Sequence, residues 1–267
     1  FVMARASLYA QNRVTEEELR SFPTPLGTST HIPIEHGRFV DLLDGSLNDH
    51  GWEITDKDYG IWPSKINDVL YDAARMFGVY KIAREDVAKS DDVELALGIR
   101  NSHDKTFAAD VVIGINVMVC DNLDFVGEVK ASHKHTVNLM DQLPQRIFDM
   151  LGEIVWIEED HTRMIDLYKW AQIDDTQVHD FIVKSVDAHV MPWTYGERVL
   201  REYRKPRHEV FEERNVWSLN NSYTEILKDR NQMMLSTSTV RLHRLLRELS
   251  ESVAATSGWT LPVPSLN

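Results

Sequence analysis

Three short runs rich in β-branched residues follow one another between Val93 and Ala131: Val93 to Ile99 (VELALGI), Ala109 to Cys120 (ADVVIGINVMVC) and Phe125 to Ala131 (FVGEVKA). Each is bounded by Asn, Asp, Ser or Gly, the residues that close strands. Parallel strands need a crossover of a dozen or more residues, so spacing this short predicts an antiparallel meander. After Thr136 the apolar period changes to that of helices almost to the end. The predicted helices are Val137 to Leu151, Thr162 to Trp170, Asp175 to Ala188, Tyr195 to Arg204, Val216 to Lys228 and Thr237 to Ala255. Asp175 with Gln177 and Val178 reads as a helix start, and Thr194 stands three residues before Glu197, a capping-box spacing.

Upstream of the runs, Phe39, Leu42, Leu43 and Leu47 recur at three and four, which predicts an amphipathic helix over His36 to His50 closed by Gly51. Trp52, Ile54 and Met76 to Ile82 read as strands, separated by a loop with Gly60 and Pro63. Residues 1–35 carry Pro23, Pro25, Pro33 and Gly27, which predicts an extended arm after a short helix around Thr15 to Arg20. The expected fold is α+β: a mostly antiparallel β-meander sheet with an N-terminal helix, followed by a helical C-terminal half. The expected divisions are an N-terminal arm (1–35), an α+β core (36–136), a helical region packed on the core (137–255) and a C-terminal tail (256–267).

At 267 residues and 43% hydrophobic content the chain can bury a core. No run approaches the roughly 20 apolar residues of a membrane span, and the start lacks a signal-peptide h-region, so a cytoplasmic protein with no membrane partner is expected. Cys120 is the single cysteine, which excludes an internal disulfide and a thiolate zinc cluster. A net charge of -13 opposes binding to nucleic acid through overall electrostatics. Acid is concentrated at Asp41 to Asp58 and Glu85 to Glu94, whereas Lys228, Arg230, Arg241, Arg244 and Arg247 make the C-terminal region locally basic.

Phosphate-binding, dinucleotide-binding, serine-hydrolase and zinc-protease signatures are absent, so no catalytic residues and no cofactor are assigned. The densest polar group is Asn101, Ser102, His103, Asp104 and Lys105 within RNSHDKTFAA, readable as an ordinary turn or as a binding loop. Cys120, Asp121 and Asn122 form a second group at the next strand end. On a strand, residues two apart share a face, so His133 and His135 with Glu128, His103 or Asp104 have the residue types of a divalent-cation site. Chance HxH pairs are common in a chain with 11 histidines, and no metal is assigned. Glu158, Glu159, Asp160 and His161 read as a solvated helix start. Arg198, Arg201, Arg204, Lys205 and Arg207 gather near Trp193 and Tyr195, the chemistry of a single-strand groove or of a salt-bridged helix surface, because Glu197, Glu202 and Glu209 interleave. Trp217, Asn220, Asn221, Thr224 and Lys228 form a polar and aromatic stripe at helical spacing.

LGIRNSHDKTFAA, VMVCDNLDFVGE, the SHKHT turn, the WSLNNSYTE helix and the early IEHGRFVDLLDGSLNDHGW occur in that family's order across Pro33 to Leu246, and together they resemble the phage/plasmid-like family of domain of unknown function 932. Where many members carry Arg before Lys-His-Thr, this chain has His133. The resemblance implies a mobile-element context among DNA-processing genes. By fold analogy with single-strand annealing proteins it also implies a homo-oligomer that handles single-stranded DNA. On that expectation Asn101, Ser102, Lys105, Lys130, Lys134 and His135 contact the nucleic-acid backbone, with Arg198, Arg201, Arg204 and Arg207 as a second rail. The alternatives are a protein that antagonises a host defence factor through its acidic surface, and a metal-dependent nuclease or phosphoesterase using His103, Asp104, Glu128, His133 and His135.

Overall fold

The computed structural model describes residues 12–85, 93–117, 122–227 and 232–257. The fold is α+β, with one antiparallel sheet in strand order β1-β2-β3-β4-β5-β6 and helices through the C-terminal half. The strands are β1 (Arg13–Val14), β2 (Glu53–Ile66), β3 (Val69–Ala83), β4 (Val93–Ser102), β5 (Ala109–Val117) and β6 (Asn122–His133). Every neighbour in space is a neighbour in sequence among them, which is the meander that the three runs predict. The chain divides into two compact units, Phe1–Val155 and Trp156–Asn267.

β3 is the centre of the first unit. From Met76 to Ile82 it is buried without a break, so side chains on both of its faces lie away from water. From Met76 to Lys81 its partners are in register on both sides, with Tyr59↔Gly78 on one and Gly78↔Ile99 on the other, and a shift on the β2 side follows between Lys81 and Ile82. Glycine is required there by close approach: a Cβ at residue 78 would lie 2.8 Å from Ile99 Cγ1 and 3.0 Å from Tyr59 Cδ1. The Tyr59 ring has little room to give, because its hydroxyl is 2.9 Å from that of Tyr80 and donates to Glu16 at 3.3 Å.

The expected loop at Gly60 and Pro63 is instead part of β2. Gly60 pairs with Arg13 of β1 and Phe77 of β3, and Pro63 sits at a register shift between Trp62 and Ser64. Proline is compatible with a strand at such an irregularity, since no ladder N–H is demanded there. The reversal comes later, at Asn67 and Asp68, whose φ values of 50° and 64° make a two-residue turn between paired Ile66 and Val69.

Two helices flank the start of the sheet, α1 (Glu16–Ser21) and α2 (His36–Asp49). Thr15 caps α1 in a capping box with Glu18, and Gly51 at φ 72° follows α2. Arg20 pairs with Glu16 and Asp41, both at 2.7 Å, and Lys57 of β2 with Glu16 at 3.1 Å and Asp44 at 2.5 Å. The acid run beginning at Asp41 is thus partly neutralised by ion pairs within its own unit.

α3 (Leu139–Trp170) is one continuous helix where two are expected, and it carries Pro144 near its start. Glu158, Glu159, Asp160 and His161 therefore lie inside a helix and do not begin one. Glutamate is a good helix former, so an acidic stretch need not break the run. The second unit contains α4 (Asp175–Asp187), α5 (Gly196–Arg204), α6 (Val216–Leu227) and α7 (Gln232–Ser257). The α4 cap is Asp174, one residue before the expected start, in a reciprocal box with Gln177. Thr194 caps nothing: it lies in a short 3-10 turn, Trp193–Tyr195, that leads directly into α5. All twelve residues of α6 are buried. Asn221, Ser222 and Thr224 bond to the helix's own backbone, donating to Trp217 O at 2.9 Å, Ser218 O at 2.7 Å and Asn221 O at 3.1 Å. The stripe on this helix is packing, as far as Thr224; Lys228 lies outside the described residues.

Replacing Gly78 with alanine is expected to destabilise the protein by ~1–3 kcal/mol, the usual range for overpacking a tight core. Urea denaturation measures this, and an unchanged midpoint would contradict the close approach.

Candidate functional site

The meander brings two of the polar groups to one end of the sheet. Ala109 of β5 pairs with His133 of β6, so the loop 103–108 between β4 and β5 and the segment 133–136 after β6 share that end. Residues 118–121, including Cys120 and Asp121, lie outside the described residues, on the connection at the other end of β5 and β6.

The loop is built by its own side chains. Asp104 accepts from Arg75 Nε at 2.7 Å and from the Thr106 amide and hydroxyl at 3.2 and 2.6 Å. Burial opposes its ionisation, but hydrogen bonds from Thr106, Arg75 and Ser64 hold the carboxyl below its ordinary range. Ser102 Oγ donates to Phe107 O at 2.9 Å and accepts from Phe107 N at 3.2 Å. Lys105 takes φ 66° at the tip and is exposed. Arg100 pairs with Asp110 at 2.5 Å and lies over the Phe107 ring.

Behind this loop four histidines meet. The segment Thr28 to Glu35, between α1 and α2, crosses the sheet end as a strap. His31 Nε2 lies 3.2 Å from His103 O, His103 Nε2 lies 2.8 Å from Ile34 O, and His36 Nε2 lies 2.7 Å from Ala73 O. A carbonyl only accepts, so each of these Nε2 atoms carries the hydrogen and donates it. His36 and His103 stack at 4.1 Å, and His31 and His135 meet at 5.2 Å. Asn101 Nδ2 donates to Ile34 O at 3.0 Å and to His36 Nδ1 at 2.9 Å. The Ile32 amide donates to His135 O at 3.0 Å. His103 Nδ1, Asn101 Oδ1 and both ring nitrogens of His135 are buried without a hydrogen-bond partner.

Burial disfavours the charged imidazole, and all four rings are shifted down. For His36 burial and the neighbouring His103 lower the value to about 3, and for His135 burial with His31, His103 and His133 lowers it to about 4. Burial likewise lowers His31 and His103, against hydrogen bonds to carbonyls that favour the proton.

Several expected contacts are corrected by burial. Asn101 and Ser102 are fully buried and His135 is 4% exposed, so their side chains face the interior and not a nucleic-acid backbone. The strap meets Asn101 and His135, and Ser102 is held by Phe107 of its own loop. Lys105 and Lys134 are exposed at this end. Lys130 is in β6, opposite Val112, but its side chain and that of Glu128 lie outside those described. His133 is held by Lys134 O at 2.6 Å and Gln142 Oε1 at 3.0 Å. Among the described residues no group of three or more His, Cys, Asp or Glu is disposed to hold a metal ion. His103, Asp104 and His133 are each engaged with separate partners.

In the second unit Arg198 lies 5.0 Å over the Tyr195 ring, and Arg204 is 3.4 Å from Asp175 and 3.2 Å from His179 Nε2. Arg207 pairs with Glu202 and Glu225. The arginine run is in large part a salt-bridged surface, with Arg201 exposed and Trp193 64% exposed at its start. His31 and His36 were not legible as site residues, since nothing in local spacing links positions 31–36 to 101–135. The available signal was that the IEHG, RNSHD and SHKH motifs each carry histidine.

Comparison with models of known protein families, with curated proteins and with solved structures finds no match to this chain. Among the described residues no helix is long and apolar enough to cross a membrane.

Asn101→Ala removes the donor to Ile34 O and His36 Nδ1. The expected loss is ~1–3 kcal/mol for each buried group left unpaired, read by chemical denaturation at neutral pH. A variant as stable as the parent would show that Asn101 does not hold the strap.

Proposed function

We propose that this chain is a DNA-binding protein without catalytic activity, which binds or anneals single strands in recombination or in establishing a mobile element. The observation that carries the reading is Trp193: a large aromatic side chain, 64% exposed, in the short turn that leads into a helix bearing the exposed Arg201. Exposed rings beside cations stack on unpaired bases while the cations follow phosphates, and this recognition tolerates any sequence. In the first unit the exposed Lys105 and Lys134 stand at one end of the sheet and supply further phosphate contacts. The motif resemblance supplies the DNA-processing context. An overall charge of -13 makes weak, strongly salt-dependent binding the expectation.

The two alternatives draw less from the geometry. Glu16, Asp41 and Asp44 are engaged by Arg20 and Lys57, which reduces the acidic surface available to mimic DNA charge. The residues offered for a metal-assisted phosphoesterase do not converge among the described side chains.

Fluorescence anisotropy with a labelled single-stranded oligonucleotide at low salt tests the reading. Binding is expected, and Trp193→Ala should weaken it by ~1–3 kcal/mol per base unstacked. Replacing Lys105 and Lys134 with alanine should flatten the logarithmic salt slope by roughly 0.7 for each lysine that contacts phosphate. Absence of binding at low salt would end the proposal.

A further inference from the structure

We propose that the four-histidine seam is an acid-sensitive latch, which holds the Thr28 to Glu35 strap over the sheet end when its imidazoles are neutral and releases it when they are protonated. The geometry fixes the neutral forms. His31, His36 and His103 each donate Nε2–H to a carbonyl, leaving Nδ1 as the atom that would take a second proton. At His36 that atom already accepts from Asn101 Nδ2, so a proton there would set donor against donor. At His103 it is buried with no acceptor, and at His135 neither nitrogen has one. The stacked pair at 4.1 Å and the tilted pair at 5.2 Å would also become pairs of like charges.

The charged neighbours do not compensate. From the β4–β5 loop, Asp104 favours a charge on His31 and His103 while Lys105 opposes one on His31, and Asp104 is engaged by Arg75 of β3 and by Thr106. On β5, Asp110 is engaged by Arg100 of β4 and Ser132 of β6. The electrostatics of His133 of β6 also disfavour a charge on His135, and Lys134 after β6 and Glu35 at the α2 cap are exposed to solvent. From α3, the neutral Gln142 meets His133. The strap is able to open alone because its two ends are pinned outside the seam. Arg20 of α1 reaches Gly37 O at 3.4 Å and Asp41 at 2.7 Å on α2.

The direction follows from linkage. Groups held below their ordinary value of 6.5 favour the closed strap above that pH, and this contribution is lost as pH falls from 6.5 toward about 4 for His135 and about 3 for His36. The inference does not depend on DNA binding.

Amide hydrogen exchange on the full chain, corrected for the intrinsic pH dependence of exchange, reads the opening equilibrium at Ile32, whose amide bonds to His135 O, against Val79 and Leu97 of the sheet. Between pH 7.5 and pH 5 the strap amide is expected to lose protection by more than about tenfold while the sheet amides keep theirs. His135→Phe breaks no side-chain hydrogen bond and should reduce that loss by about tenfold. Strap protection unchanged at pH 5 overturns the latch, as does its loss in step with the sheet. If His135→Phe cannot be purified folded, the comparison of strap with sheet in the parent protein decides alone.

Discussion

The pairing of β3 with β2 and β4 is the constraint on which the first unit depends. Gly78 admits Tyr59 and Ile99 to distances that a side chain would forbid. Once Tyr59 is seated there, its hydroxyl meets Tyr80 and Glu16, Glu16 joins Lys57 and Arg20, and Lys57 in turn holds Asp44. A backbone approach at one glycine is thereby connected to the ion pairs that hold α1 and α2 against the edge of the sheet. The register also sets the far end of the strands, where Arg75 of β3 stands opposite Ser102 and reaches Asp104.

That same end brings the strap and the two polar segments together. Backbone carbonyls at residues 34, 73 and 103 each receive an imidazole N–H, and Asn101 joins Ile34 to His36. Buried polar groups persist when they are hydrogen-bonded, and here nearly all the bonds run between the strap or the start of α2 and the sheet end. The ring nitrogens left without partners, at His103 and His135, are the points at which a change of protonation has most effect. The second unit contrasts with this. Its polar residues bond within α6 or form ion pairs, as Arg207 after α5 does with Glu225 of α6 and Arg204 of α5 with Asp175 of α4.

Much of the fold was legible because it is local. β-branched runs bounded by turn residues gave β4 to β6, and the three-and-four spacing of Phe39, Leu43 and Leu47 gave α2. The readings that changed depended on partners distant in sequence. Gly60 and Pro63 resemble a loop until Arg13 and the β3 ladder are placed beside them. Asn101 resembles a surface turn residue until Ile34 and His36 cover it. The candidate site was half visible: Lys105 and Lys134 remain at the surface, whereas His31 and His36 entered only through the strap.

By itself the sequence determined the class of fold, the antiparallel order of the strands and the acidic charge of the chain, since each follows from neighbouring residues or simple composition. Only the tertiary structure decided which polar residues face water. Burial depends on what another segment covers, and the strap residues His31 and Ile34 lie 67 to 72 residues before the Asn101 and His103 they touch. The runs between Val93 and Ala131 announce a sheet; whether its polar end is a surface or an interior is settled by the chain that folds across it.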